Sequence, residues 1–466
     1  MLGMGNMRQW LMNISLVGGW FPAAAFAVVA VLSVILLVSA AVSKRDGRIL
    51  ATVLPIGVAA VSGMIGYVVA WLLSDVFVVF GVGLGSRVMS WVAAGFAIAG
   101  FAIVHIVLSR GMMRVAAAIL TVFAILAAAI GIDQSYGEYA TIGSLFGEDS
   151  YSQADLTGLA KRKDLITVAQ WRKQAANGTI RNIPANGTVN KIDIPATKSQ
   201  FEARKALVYL PPAALADSKR KPALPVVLML SGQPGSPGRV FQAGGIQTMM
   251  DGYAKTHDGL APIVIAADQL GADSHNTLCV DSKVYGNALT YLTQDVVDWV
   301  KTNLPAAQDA KDWAIAGFSQ GATCSLQIGV NHPDLFGTMI PTDSEIKPTN
   351  GSRQEMIDRF FDGDTTAYEN QVPVNAIRNH APTHQMLIIG AGEKDTTSIR
   401  NVKTIAPVAA KAGMRVAAVE SSGNAHDWHA VQDVLRYGLA VFGHDTGLDG
   451  ANPNLSDYPN LKRITI

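Results

Sequence analysis

Trp313-Ala-Ile-Ala-Gly-Phe-Ser319-Gln-Gly-Ala-Thr-Cys324 is the stretch on which the reading of the chain turns. An apolar run of β type enters Gly317-Phe-Ser-Gln-Gly321, and residues 322–330 read as a helix of small side chains. A serine between two glycines at a strand-to-helix turn is the pattern of a nucleophile elbow. Ser319 must occupy a sharply turned backbone position for its hydroxyl to project above a sheet. Gly317 and Gly321 keep side chains out of the place where strand and helix approach each other.

Around this stretch the second part of the chain alternates strand and helix. Residues 189–194 and 206–210 read as antiparallel leading strands, and 226–230 and 263–267 as buried parallel ones. A helix over 288–302, with Leu289, Leu292, Val296, Val297 and Val300 facing inward, leads to the elbow strand. Further strands follow at 338–341, 386–389 and 415–419. Strands interleaved with helices imply a mostly parallel sheet covered on both faces. The expected fold is therefore an α/β-hydrolase domain over residues 189–466.

A serine hydroxyl is a weak nucleophile near neutral pH, so it needs a base within hydrogen-bond reach and an acid to orient that base. In this fold the order along the chain is serine, acid, histidine. Of the nine histidines, His426 is best placed, because it follows the strand at 415–419 and a flexible Ser-Ser-Gly-Asn-Ala loop. His429 is the alternative base. The acid belongs on the loop after residues 386–392, which carries Glu393-Lys-Asp395. Asp395 is the expected acid, with Glu393 the alternative and Asp343, after the strand at 338–341, a further candidate. Two backbone N–H groups must meet the oxyanion. Gln320, next after the nucleophile, supplies one. The other comes from the turn Ser231-Gly-Gln-Pro-Gly235, where Pro234 has no N–H; Gln233 is the first choice and Gly232 the second. Such a triad requires neither a cofactor nor a metal.

From about residue 189 to 445 the chain resembles the esterase family that includes esterase D and the secreted mycolyltransferases of actinobacteria. The resemblance rests on Gly317-Phe-Ser-Gln-Gly321, the Gly390-Ala-Gly-Glu-Lys-Asp395 loop, His426-Asp-Trp428, Asn276-Thr-Leu-Cys-Val-Asp-Ser282 and Tyr291-Leu-Thr293. It implies His426 as the catalytic histidine. The Ser231–Gly235 turn departs from the secreted mycolyltransferases. Hydrolysis of an ester is the expected reaction, and transfer of the acyl group to a sugar or lipid hydroxyl is the alternative.

The first part of the chain is of another kind. Over 466 residues, 49% are hydrophobic and 16% charged, with a mean hydropathy of +0.25, whereas a soluble protein carries about 25% charge. Four apolar runs, 19–43, 49–74, 88–109 and 115–132, are each long enough to cross a hydrocarbon core of about 30 Å, so residues 1–132 are expected to form four transmembrane helices. A cleaved signal peptide is the competing reading of the first run. Positive-inside placement of Lys44, Arg45, Arg48, Arg110 and Arg114 puts the C-terminal part outside the cytoplasm. Residues 76–84 are apolar but too short to span, and His105 is an ionisable group within the third run.

Residues 133–188 read as an extracytoplasmic linker. It holds one amphipathic helix over 164–176, with Leu165, Val168 and Trp171 on one face and Lys161, Arg162, Lys163, Arg172 and Lys173 nearby. The Asn-Gly-Thr tripeptides at Asn177 and Asn186 fit glycosylation acceptors and turns equally well. The net charge of +1 gives no reason to expect nucleic acid; the expected partners are the bilayer and a lipid or acyl-ester substrate. The two cysteines suit no zinc site. Outside the cytoplasm Cys279 and Cys324 are expected to form a disulfide beside the elbow, two buried free thiols being the alternative.

Overall fold

The computed structural model describes residues 4–42, 48–77, 83–149, 151–160, 164–180 and 182–466. Lys44, Arg45, the middle of the 76–84 stretch and Lys161, Arg162 and Lys163 lie outside the described residues. The chain divides into two compact units, one of Met1–Glu148 with Ala425–Asp427 and one of Asp149–Asn424 with Trp428–Ile466.

In the first unit a short helix, α1 (Met4–Met12), precedes α2 (Trp20–Ala41), α3 (Arg48–Trp71), α4 (Gly85–Leu108) and α5 (Met112–Tyr136). A π-helical turn, Leu72–Val76, extends α3. Four helical segments, Trp20–Ala41, Thr52–Val76, Gly85–Leu108 and Met112–Tyr136, are long and apolar enough to cross a membrane. Small residues let α3, α4 and α5 approach closely. A Cβ on Gly100 would come within 2.4 Å of Ser62 Oγ, and one on Gly131 within 2.2 Å of the Trp91 ring. Leu36, Ala102, Ala117 and Leu120 fill the interior, whereas Val34, Val61, Met64, Val122 and Ile125 are each more than half exposed. An apolar outer face of this kind is unfavourable in water and matches hydrocarbon. His105 is buried, its ring 4.6 Å from that of Phe101.

The second unit is built on one sheet of ten strands. These are β1 (Ser152–Gln153), β2 (Thr188–Ile192), β3 (Ala206–Leu210), β4 (Val226–Leu230), β5 (Ile263–Ala266), β6 (Trp313–Phe318), β7 (Thr338–Thr342), β8 (Met386–Gly392), β9 (Arg415–Ser421) and β10 (Leu461–Arg463). Their order is β1-β2-β3-β5-β4-β6-β7-β8-β9-β10. From β5 through β9 every neighbouring pair is parallel, and β3 and β10 pair antiparallel at the two ends of that run.

The strand period of two sorts the central side chains into two cores. Val226, Leu228 and Leu230 of β4, with Trp313 and Ile315 of β6, enter one of them. Val227 and Met229 of β4, with Ala314, Ala316 and Phe318 of β6, enter the other. Helices α6 (Val168–Ala176), α8 (Val296–Asn303), α9 (Gln320–Asn331) and α10 (Thr396–Lys411) cover the first core through Trp171, Val300, Leu326 and Ile405. Helices α7 (Ile246–Lys255) and α11 (Trp428–Asp445) cover the second through Met250, Val434 and Phe442. Both faces are buried, which makes the central strands near-continuous apolar runs. This is an α/β-hydrolase fold.

Two departures from the sequence reading have clear causes. The helix over 288–302 is broken by a π-helical turn, Tyr291–Asp295, although Leu292, Val296, Val297 and Val300 are buried as expected. The segment read as a linker is in large part docked on the domain. Ser152 and Gln153 pair with Asn190 and Lys191. Helix α6 begins later than expected because Thr167 and Gln170 form a capping box, and Trp171, wholly buried, donates from Nε1 to the Asp258 carbonyl at 3.1 Å. Asn177 caps the C-terminal end of that helix.

Candidate active site

The loops that follow β4, β5, β6, β7, β8 and β9 lie at the C-terminal edge of the parallel strands, where open α/β sheets bind ligands. Ser319 sits between the last residue of β6 and the first of α9, at φ 54 and ψ −116. For a residue with a side chain this region costs about 1–3 kcal/mol, and the surroundings enforce it. The Ser319 N–H donates to Thr342 O of β7 at 3.0 Å, and the Ser319 carbonyl accepts from Thr323 N at 3.0 Å. A Cβ on Gly317 would come within 2.2 Å of Gly321 O, and one on Gly321 within 2.3 Å of Ser231 O. Both glycines are therefore required by backbone, not by flexible neighbours.

The turn expected to complete the oxyanion hole lies against the serine. A Cβ built on Gly232 would stand 3.5 Å from Ser319 Cβ and 3.2 Å from Phe318 Cδ1. Gln233, next in the turn, is held by a bond from its Nε2 to Ser274 O at 3.1 Å. Gln320 is the first residue of α9, so its N–H is among those with no acceptor within the helix.

The acid loop separates its two carboxylates by what each one touches. Glu393 Oε2 accepts from Gly423 N at 2.7 Å, and Glu393 Oε1 pairs with Lys462 Nζ at 2.9 Å. The Lys462 hydrogen bond holds the Glu393 carboxyl below its ordinary range, and the Gly423 N–H adds to this. Asp395 is buried and caps α10, accepting from Thr397 N at 3.1 Å and Ser398 N at 3.0 Å. The loops after β8 and β9 are also joined by backbone bonds, Glu393 N to Ser421 O and Lys394 N to Asn424 O, each 2.9 Å.

His426 is half-buried on the loop after β9. A ring nitrogen of His426 and carboxylate oxygens of Asp395 and Asp343 all lie within 4.8 Å of one another. That cluster holds His426 with Asp395 and does not include Glu393. It also brings in Asp343, wholly buried at the end of β7, whose Oδ1 accepts from Gly392 N at 2.9 Å. Each carboxylate in this cluster accepts at least one backbone N–H bond. His429 is the second residue of α11 and belongs to no such cluster among the described residues. The Asp427 and Trp428 that follow His426 shape its loop: Asp427 Oδ2 accepts from Ala425 N at 2.8 Å, and the Trp428 ring packs 5.0 Å from that of Phe318.

Cys279 and Cys324 are disulfide-bonded, with Cα atoms 5.7 Å apart. The bridge ties the loop after β5 to the first turns of α9. Sequence reasoning did not single out Gln269 on that loop, because nothing in its local pattern reveals what it meets in space. It is wholly buried and bonds to both Ser231 and Gln320.

Fold and site together define a carboxylic ester hydrolase of the serine type. Residues 198–438 match the family described as Putative esterase, and the chain belongs to that family. An uncharacterized protein of Corynebacterium glutamicum is 32% identical over 333 residues, which cover 70% of this chain and 74% of that one. Among solved structures, an S-formylglutathione hydrolase from Agrobacterium tumefaciens is 16% identical with a TM-score of 0.46, over 57% of this chain and 98% of that one. A fluorophosphonate-binding serine hydrolase of Staphylococcus aureus is 13% identical with a TM-score of 0.44, over 55% and 98%.

Proposed function

We propose that the protein is a membrane-anchored serine esterase whose catalytic domain lies outside the cytoplasm and hydrolyses ester-linked lipids of the cell envelope. The observation that carries this reading is the strained position of Ser319 at the head of α9, in an esterase-family domain preceded by four apolar helices. Ser319 Oγ attacks the ester carbonyl while His426, oriented by Asp395, takes its proton and returns it to the leaving alcohol. The N–H groups of Gln320 and Gln233 meet the oxyanion. Water then repeats the sequence on the acyl-enzyme and the free acid departs.

The disulfide supports an oxidising compartment, and Arg110 and Arg114 between α4 and α5 favour a cytoplasmic side for that loop and the opposite side for the catalytic domain. The test uses full-length protein in vesicles made from envelope lipid extract, with Ser319→Ala as the control. Release of free fatty acid by the wild type alone is the expected result. Acyl groups recovered on an added sugar or lipid alcohol would make the protein a transferase instead. Cleavage of a small soluble ester without any action on the lipid would overturn the lipid assignment.

A further inference from the structure

The loop after β5 grips the oxyanion turn at several points. Arg204 makes two bonds to the wholly buried Asp268, Nε to Oδ2 at 2.9 Å and Nη2 to Oδ1 at 2.8 Å. Its Nη2 also donates to Gly235 O at 2.9 Å, at the far end of the turn. Next in sequence, Gln269 Nε2 donates to Ser231 O at 2.7 Å, with Ser231 Oγ at 3.3 Å, and to Gln320 Oε1 at 3.2 Å. The Ser231 carbonyl can only accept, so the amide nitrogen must face it. One buried amide therefore bonds to the first residue of the turn and to the first residue of the nucleophile helix. These are the two segments from which the oxyanion donors come.

The amide is itself held in place. Thr277 Oγ1 donates to Gln269 O at 2.7 Å and accepts from Cys279 N at 3.1 Å, and Cys279 is bridged to Cys324 in α9. The Gln320 side chain is fixed from its other end, with Nε2 donating to Asn276 Oδ1 at 3.3 Å and 3.3 Å from Cys324 Sγ.

We infer that Gln269 is a positioning residue of the oxyanion hole, setting the separation of its two donor segments without touching substrate. This rests on the assignment of Ser319 as nucleophile. The physical reason is that an oxyanion needs both N–H groups within about 2.7–3.1 Å at once. The backbone packing of Gly321 on Ser231 and Leu230 brings the segments together, and the buried Gln269 amide adds a polar bond to each of them, to Ser231 O and to Gln320 Oε1. Its effect should fall on the transition state, where the negative charge exists, and not on ground-state binding.

The test compares wild type, Gln269→Leu, Gln269→Glu, Gln320→Met and Ser319→Ala on p-nitrophenyl acetate and on an alkylboronic acid that mimics the tetrahedral state. Gln269→Leu removes the amide, and Gln269→Glu keeps its shape but removes the donor. Gln320→Met keeps the backbone N–H and removes the side-chain acceptor. The expected result is a fall in kcat of about ten- to a hundredfold in both Gln269 variants, below the 10²–10³ typical of deleting a donor outright. KM should change by less than about twofold, and boronate affinity should fall in parallel with kcat. A merely structural role would lower the thermal midpoint and the active fraction without this split. If Gln269→Leu does not fold, Gln269→Glu and Gln320→Met carry the same comparison. Wild-type kcat and boronate affinity in any folded Gln269 variant, with Ser319→Ala inactive, would overturn the inference alone. Turnover retained by Ser319→Ala would overturn the nucleophile assignment and this inference with it.

Discussion

Ser319 holds a backbone conformation that a serine adopts only under constraint, and Gly317, Gly321 and the Thr342 carbonyl supply that constraint. The choice of acid follows from contacts of the same local kind. Glu393 uses both oxygens, one on Gly423 N and one on Lys462 Nζ, while Asp395 lies in the cluster with His426. Asp395→Asn should therefore lower kcat by several orders of magnitude, and Glu393→Gln by less than about tenfold. Steady-state kinetics on a soluble ester decide between them, and a larger loss in Glu393→Gln would reverse the assignment. The Glu393 carboxyl is depressed, so its pairing contributes to stability above the ordinary carboxylate range and is lost as pH falls through the depressed value. The group is exposed, so this contribution is screened by solvent. The placement of Ser319, Asp395 and His426 on the loops after β6, β8 and β9 was legible in the sequence, because it follows strand order. Asp343 was legible as a candidate for the same reason, whereas Gln269 between Ser231 and Gln320 owes its contacts to tertiary closeness that no local pattern encodes.

Elements were legible in proportion to how much apolar surface each buries. The central strands β4, β6, β7 and β8 are buried along their whole length, and so appear as apolar runs. Ser152–Gln153 and Leu461–Arg463 pair at the sheet margins over two and three residues and carry no such signal. The docking of α6 hangs largely on Trp171, which an amphipathic reading assigns to a face without saying what covers it. At the crossing of β4, β6 and α9 the packing is backbone on backbone, since a Cβ on Gly321 would lie 2.3 Å from Ser231 O and 2.6 Å from Leu230 O. Gly321→Ala should cost about 1–3 kcal/mol or prevent folding, and it should move the serine as well. Urea unfolding of the variant checks this; a wild-type midpoint with full esterase activity would mean that strand and helix can separate at no cost.

For the whole molecule, the two units differ in what they leave exposed. The helices α2 to α5 bury a small cluster around Leu36, Ala102 and Leu120 and leave many large apolar residues exposed, while the domain from Asp149 onward buries its apolar residues on both faces of a sheet. Length and lack of charge made the four apolar runs legible, and the basic residues between them suggest a direction of insertion. The beginning of the second unit carries little sequence signal, because residues 149–188 are polar on average and still contribute Leu156, Ile166 and Trp171 to the core. The proposed esterase activity depends above all on Ser319 as nucleophile. Its most direct test is to treat full-length protein with a fluorophosphonate and locate the adduct by peptide mass spectrometry. The account predicts one adduct, on the peptide containing Ser319, absent from Ser319→Ala together with ester turnover. An adduct on another residue, or undiminished labelling and turnover in Ser319→Ala, would contradict it.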